Sequence, residues 1–251
     1  MNFKQLHNQK NPLLIANVWD VKSAKIAEEL NFQSIGTSSA AIASILGYQD
    51  GEKMTFTELE FFVKQIISNT HLPLTVDLES GYSKQPIEVA NHIKNLAKLG
   101  VVGINIEDSL VNKNRTLINV EIFANHLSEI IQITRNEEID LFINVRTDTF
   151  LLDISNKIEE TLTRIHLYEK AGADGIFVPC IEHISEIETL VNSTELPINV
   201  MCMPNLPDFE TLNKIGIKRI SMGNFLFENM YQHFHLKMKE VLIKKSFKPI
   251  F

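Results

Sequence analysis

Three segments of this chain share one grammar: Ala97-Lys98-Leu99-Gly100 before Val101–Ile106, Glu169-Lys170-Ala171-Gly172 before Ala173–Val178, and Asn213-Lys214-Ile215-Gly216 before Ile217–Met222. In each, a helical pattern stops at glycine and a short apolar run follows within a few residues. Glycine ends a helix at no steric cost because it accepts a left-handed backbone. A helix repeatedly delivered into a buried strand describes strand–helix units around a parallel sheet. Eight such runs can be marked: Leu13–Ala16, Ser34–Ser38, Leu74–Leu78, Val102–Ile106, Leu141–Val145, Gly175–Val178, Ile198–Met201 and Arg219–Met222. They are rich in Ile, Val and Leu without strict alternation, as strands buried on both faces should be.

Between the runs, the flanks read as helices. Thr57-Glu58-Leu59-Glu60 has the form of a capping box opening Phe61–Ser68. Phe61, Phe62, Ile66 and Ile67 fall at helical spacing and read as core. Pro86 suits a first turn, and Gly100 suits the end of Ile87–Leu99. Further helices are expected over Ile158–Lys170, Phe209–Ile215 and Phe225–Lys244. Eight units in 251 residues predict a (β/α)8 TIM barrel, an α/β fold, as a single domain over residues 1–251, with one helix after the eighth strand. A doubly wound sheet is the alternative, but Ala16-Asn17-Val18-Trp19-Asp20 lacks its glycine-rich first turn.

The composition is that of an ordinary globular chain, with 44% hydrophobic and 22% charged residues. Lys plus Arg total 24 against 31 Asp plus Glu, a net charge of -7, which disfavours nucleic acid as a partner. Cys180 and Cys202 are too few for a metal quartet or a disulfide framework, and both read as small buried hydrophobes in a reducing compartment. The opening MNFKQLHNQKNP lacks a signal-peptide core, and no apolar run reaches the roughly 18 residues of a membrane span. A soluble, cytoplasmic protein without membrane contact is expected.

Chemistry in such a barrel sits at the C-terminal strand ends. The third run ends Thr75-Val76-Asp77-Leu78-Glu79, the fourth Asn105-Ile106-Glu107-Asp108, and the fifth Asn144-Val145-Arg146-Thr147-Asp148. Period two puts Asp77 and Glu79 on one face. Crowded carboxylates cost several kcal/mol each to desolvate unless compensated, and a divalent cation compensates them. An all-oxygen set suits Mg²⁺ or Mn²⁺. The plainer alternative is that Glu107 or Asp108 caps the following segment and Asp148 pairs with Arg146. Trp19, Tyr82 and Asn199 lie at strand ends or in the loops after them, where each either packs or touches substrate. The loops after the last two strands, Met203-Pro204-Asn205 and Met222-Gly223-Asn224, offer only Gly223, which disfavours a phosphosugar site.

Gly36-Thr37-Ser38-Ser39 with Leu46–Glu52, Asp77-Leu78-Glu79-Ser80-Gly81-Tyr82, Gly103–Asp108, Asn17-Val18-Trp19-Asp20 and Val145–Asp148 together resemble the isocitrate lyase / phosphoenolpyruvate mutase superfamily, over about Leu13 to Gly223. The resemblance implies a Mg²⁺-dependent barrel enzyme acting on a small anionic 2-oxo acid or its enolate. It implies Asp77 as the direct metal ligand and Glu79 and Glu107 as ligands through water. Asp50 would face the metal and substrate, backbone N–H groups around Ser38 and Ser39 would cradle a carboxylate, and Arg146 would bind the substrate's anionic groups. The isocitrate-type C–C lyases carry a Lys-Lys-Cys-Gly-His-like lid; Ser109–Arg115 has neither Cys nor His. The P–C mutases carry a lysine after the Glu-Asp pair and a Lys-x-Asn beyond it; here Ser109 replaces the lysine, Lys113 remains, and Arg115 stands at the asparagine position. The expectation is a lyase cleaving the C–C bond next to a 2-oxo or 2-hydroxy carboxylate through a metal-stabilised enolate, in the manner of an oxaloacetate decarboxylase. The alternatives are a phosphonomutase or P–C hydrolase using Lys113, Arg146 and Asp50, and a barrel that binds a 2-oxo acid without turnover. A homo-oligomer, dimer or tetramer, is implied; only about Phe225–Phe251 follows the eighth strand, which leaves an exchanged C-terminal helix open.

Overall fold

The computed structural model describes residues 2–251. Its strands are β1 (Leu13–Val18), β2 (Ser34–Thr37), β3 (Leu74–Asp77), β4 (Gly103–Glu107), β5 (Ser109–Val111), β6 (Arg115–Leu117), β7 (Phe142–Arg146), β8 (Gly175–Val178), β9 (Ile198–Met201) and β10 (Arg219–Ser221). Its α-helices are α1 (Val21–Glu29), α2 (Ser39–Ile45), α3 (Phe56–Ile67), α4 (Pro86–Leu99), α5 (Val120–Asn136), α6 (Lys157–Ala171), α7 (Ile184–Val191), α8 (Phe209–Ile215) and α9 (Phe225–Lys244). Eight strands close a barrel in the order β1-β2-β3-β4-β7-β8-β9-β10, every pairing parallel, and β5 and β6 form a separate antiparallel hairpin. This is the expected (β/α)8 barrel.

The strands do alternate, which their shortness hides in the sequence. Register partners share a face. One inward row runs Asp77, Asn105, Asn144, Gly175, and another Glu107, Arg146, Phe177, Asn199, Arg219. The opposite faces carry Val76, Ile104, Ile106, Ile143, Val145, Ile176 and Ile198, which join buried residues of the helices in one apolar shell. A second, smaller core of Phe3, Leu6, Leu13, Ile15 and Phe142 plugs the barrel's lower end under a 3₁₀ turn at Lys4–Asn8. Stability is thus carried outside the strands, and the upper lumen is left to polar groups.

Local chemistry sets the element ends. Gly100, Gly172 and Gly216 cap α4, α6 and α8 in the left-handed conformation, with φ of 100°, 103° and 102°. Helix α3 departs from expectation. Its capping box is Thr55 with Glu58, so it starts at Phe56 and not at Phe61. Both boxes satisfy the pattern, but the earlier one adds a turn and buries Met54 and Leu59. The core face becomes Leu59, Val63 and Ile66, and Phe61 is turned to solvent. Cys202, just past β9, is also exposed, while Cys180 is partly buried; both are free thiols. Among the described residues no helix is long and apolar enough to cross a membrane. Helix α9 buries only Phe227 and exposes Leu226, Met230, Tyr231, Phe234, Leu242 and Ile243.

Candidate active site

A cleft of about 490 Å³ opens where the C-terminal strand ends meet. Its polar lining includes Asn17, Ser38, Ser39, Asp50, Asp77, Asn105, Arg115 and Arg146, and its apolar lining includes Leu151, Leu152, Phe177, Pro179 and Met201. Asp77 ends β3 and points inward from the pleat. Its carboxylate accepts hydrogen bonds from Ser39 Oγ (2.6 Å) and Ser39 N (3.4 Å), both on Oδ2. Ser39 is placed for this because Ser38 caps α2, accepting from Ala41 N with its hydroxyl.

Glu79 does not continue the period of β3. Its φ is +49°, a left-handed backbone that costs a non-glycine residue about 1 kcal/mol or more. The turn is held by its own side chain, which accepts from Tyr82 Oη (2.8 Å) and from the backbone N–H of Glu52, while its carbonyl receives Glu107 N (2.8 Å). Glu107 ends β4 and meets Arg146 at 3.1 Å and Arg115 on its other oxygen. Asp148 receives Arg146 Nε at 2.7 Å, Arg115 Nη1 at 3.0 Å and the Ser109 hydroxyl. Arg115 reaches back from β6 and also meets Asp50 at 3.0 Å. It thereby ties the hairpin to both rims of the cleft. Gly51 lets the hairpin lie close, for a Cβ there would stand 2.5 Å from Val111 Cβ.

Five carboxyl groups thus surround two guanidinium groups. Burial pushes Glu79 up to about 7, helped by the charges of Asp50 and Asp77. Burial likewise pushes Glu107 up, against the pull of Arg146 and Arg115. Asp77 is raised by the same cause, with Arg146 opposing. Burial also works against the charge of Asp148, but Arg146 and its hydrogen bonds hold that carboxyl below the usual range. The net result is a site with more carboxyl than guanidinium groups, in which Asp77 Oδ1 on the cleft wall and Asp50 Oδ1 at the rim lie outside any hydrogen bond among the described residues. No three carboxylate, imidazole or thiol groups among those residues converge closely enough to hold a metal ion alone.

Of the residues singled out from sequence, the structure brings Ser38, Ser39, Asp50, Asp77 and Arg146 onto the cleft wall, with Glu79 and Glu107 in the charge network beside it. Trp19 and Tyr82 stand behind that wall, and Asn199 lies inside the barrel beneath it. Trp19 packs edge-on to Phe227 at 5.2 Å, Tyr82 serves Glu79, and Asn199 is fully buried in hydrogen bonds to Asn144, Val200 and Ser221. Lys113 lies exposed at the hairpin tip. The Arg146–Asp148 ion pair of the plainer reading is present as well. Asp108 is not a cap: it is sealed outside the lumen against Arg164 and Tyr168. Sequence reasoning passed over Arg115 and Asn105. Arg115 could have been found by its place in the lid segment, and Asn105 by its register beside Asp77.

The family model for phosphoenolpyruvate phosphomutase matches residues 3–242. The chain belongs to the phosphoenolpyruvate phosphomutase family. An uncharacterised protein of Mycobacterium tuberculosis strain H37Rv is 34% identical over 224 residues, covering 89% of this chain and 82% of that one. The oxaloacetate decarboxylase of Pseudomonas entomophila is 28% identical over 218 residues, covering 83% and 73%. Among solved structures, a Burkholderia cenocepacia J2315 protein provisionally described as a phosphonomutase superposes with a TM-score of 0.88 at 33% identity, over 94% of this chain and 97% of that one. As a member of the phosphomutase family with decarboxylase relatives, the chain is an enzyme of the lyase and mutase type.

Proposed function

We propose that this family member is a Mg²⁺-dependent lyase, Mn²⁺ substituting, that cleaves the C–C bond next to a 2-oxo or 2-hydroxy carboxylate, and that decarboxylation of a small oxaloacetate-like acid is its reaction. One observation carries the choice: Asp77 and two guanidinium groups line the cleft, and among the described residues no His, Cys, Lys or Tyr joins them. The wall offers stabilisation of negative charge and no imidazole, thiol, amine or phenol to deliver a proton. Decarboxylation asks for that combination, since CO₂ departs and the enolate carbon takes its proton from water.

The residues fit a Mg²⁺ ion that keeps most of its waters. Asp77 Oδ1 would hold it directly, and Glu79 and Glu107 would hold it through water; the excess of carboxylates needs such a cation, and their spread forbids a three-carboxylate cage. When bound, the ion supplies Lewis-acid polarisation of the carboxylate and keto oxygens. Ser38 and Ser39 at the start of α2 and the guanidinium of Arg146 bind the substrate's carboxylate and oppose the charge that develops as the bond breaks. Asp50 positions Arg115 at the rim. Trp19 and Tyr82 support the wall from behind, and Asn199 supports it from beneath. The exposed apolar face of α9 supports a homo-oligomer, and the two free cysteines suit the cytoplasm.

Proton NMR of a 2-oxo acid panel tests the reading. Asp77→Ala is expected to lower Mg²⁺-dependent turnover about a thousandfold, roughly 4 kcal/mol of barrier, with the circular dichroism unchanged. Turnover that survives both chelation and Asp77→Ala would sink it. The solved relative at 33% identity favours a second reading, P–C chemistry; phosphorus NMR with phosphonopyruvate would then show the P–C bond rearranged or cleaved. Tight oxalate binding with no turnover would leave a binding barrel.

A further inference from the structure

Beneath the cleft, three asparagines from three strands form a ladder inside the barrel. Asn144 on β7 donates its amide to Asn105 on β4 (2.9 Å) and to Asn199 on β9 (3.1 Å). Asn199 donates in turn to Val200 O (2.7 Å) and Ser221 Oγ (3.2 Å). Below them lies Arg219 of β10, 1% exposed, its Nη2 on Asn105 Oδ1 at 3.3 Å and its Nε and Nη1 without a partner. A guanidinium carries donors and no acceptor, so the atom of Asn105 that it meets has to be oxygen. The same oxygen receives Asn144. Both acceptor positions of Asn105 are therefore filled from below, and its NH₂ group is turned the other way. That nitrogen donates to no described residue, yet it is not among the buried polar atoms left without a partner; Asn105 is partly exposed, lines the cleft, and is the register neighbour of Asp77.

We infer that Asn105 is a substrate-recognition residue whose Nδ2 donates to a ligand oxygen beside Asp77, and that Arg219, buried out of reach of any ligand, is the positioning residue that locks the amide in that orientation. The inference rests on the reading of the cleft as a site for a 2-oxo acid. It explains why a cation is sunk into the lumen with only part of its hydrogen bonding met: flipping Asn105 would set its NH₂ against that guanidinium. A keto or carboxylate oxygen is welcomed at this point, whereas a ligand offering a donor there is turned away.

Titration calorimetry with oxalate at saturating Mg²⁺ tests it on the full chain. Asn105→Asp is isosteric, keeps an acceptor toward Arg219 and Asn144, and replaces the donor facing the cleft with an oxygen. Oxalate affinity is expected to fall about tenfold or more, the scale of one hydrogen bond to a charged group, while Mg²⁺ alone binds no more weakly. Asn105→Ser serves if the first variant melts early. In ¹⁵N-labelled protein the Asn105 side-chain amide signals should shift on adding oxalate. Arg219→Lys, which keeps a donor-only cation, should retain affinity that Arg219→Met loses. Oxalate affinity within twofold of the parent in both Asn105 variants, or amide signals that stay put, overturns the inference. Failure of the parent to bind oxalate at all overturns the cleft reading, and this inference with it.

Discussion

Glu107 and Asp108 are adjacent acidic residues, both buried, and the barrel wall separates them. Glu107 faces the lumen, shares Arg146 and Arg115 with Asp148, and feels the charge of Asp77. Asp108 faces α6, where Oδ2 accepts from Arg164 Nη1 and Tyr168 Oη, each at 2.8 Å, and Oδ1 accepts from Asp148 N at 3.0 Å. Arg164 is further occupied by Glu160 and by Ile118 O. The outer pair is saturated and closed, which is how a buried charge serves architecture. The inner one belongs to an unbalanced set with a cleft beside it, which is how a charge serves chemistry. Acidity and burial alone do not tell the two apart.

The sharpest way to break this contrast is to remove each carboxylate. Asp108→Ala takes the shared acceptor from Arg164 Nη1, Tyr168 Oη and Asp148 N, all buried, and urea unfolding should report a loss of about 3–5 kcal/mol. Glu107→Gln leaves Arg146 and Arg115 with Asp148, so its cost to stability should stay near 1 kcal/mol while Mg²⁺-dependent turnover falls. Equal losses of stability would dissolve the distinction.

A second measure is pH. With a folded value near 7 against an ordinary 4.5, Glu79 holds its proton more tightly folded than unfolded. Its contribution is complete below about pH 4.5 and is lost as pH rises to about 7, on the order of 3 kcal/mol in metal-free protein. Glu79→Gln should flatten that part of the melting-temperature profile, and added Mg²⁺ should restore stability at the alkaline side. A metal-free profile that rises across this window would contradict the assignment. The smallest effect belongs to the hairpin tip: Lys113→Ala should change decarboxylase kcat/KM by less than about threefold, under 1 kcal/mol, in steady-state assays. A hundredfold loss would return Lys113 to the chemistry and favour the P–C reading.

The barrel was legible because its signals are local. Glycine stops at Gly100, Gly172 and Gly216 and apolar runs of four or five residues need no partner to be seen. The carboxylates at the mouth were legible for a related reason: in this fold, position along a strand predicts height in the barrel. What escaped depends on direction. Period two assigned Glu79 to the lumen, but the strand ends at Asp77 and the left-handed turn re-aims the side chain. Trp19 and Tyr82 sit on the wrong side of the wall, and Asn199 sits on its inner face but beneath the cleft. Hairpin strands of three residues are too short to show a period, so the only sequence signal for Arg115 was its place in the lid segment, and its reach, which depends on the chain folding back, had none. The polarity of Asn105 is a property of its hydrogen-bonding neighbours, none of them adjacent in sequence.

Gly51 sits where the loop after α2 meets the hairpin. Its left-handed backbone and bare Cα are what allow Val111 to settle against the loop, so the hairpin closes flush. A single methyl group there would meet Val111 and act as a doorstop against the hairpin that carries Arg115. Entry to the cleft therefore turns on one carbon atom.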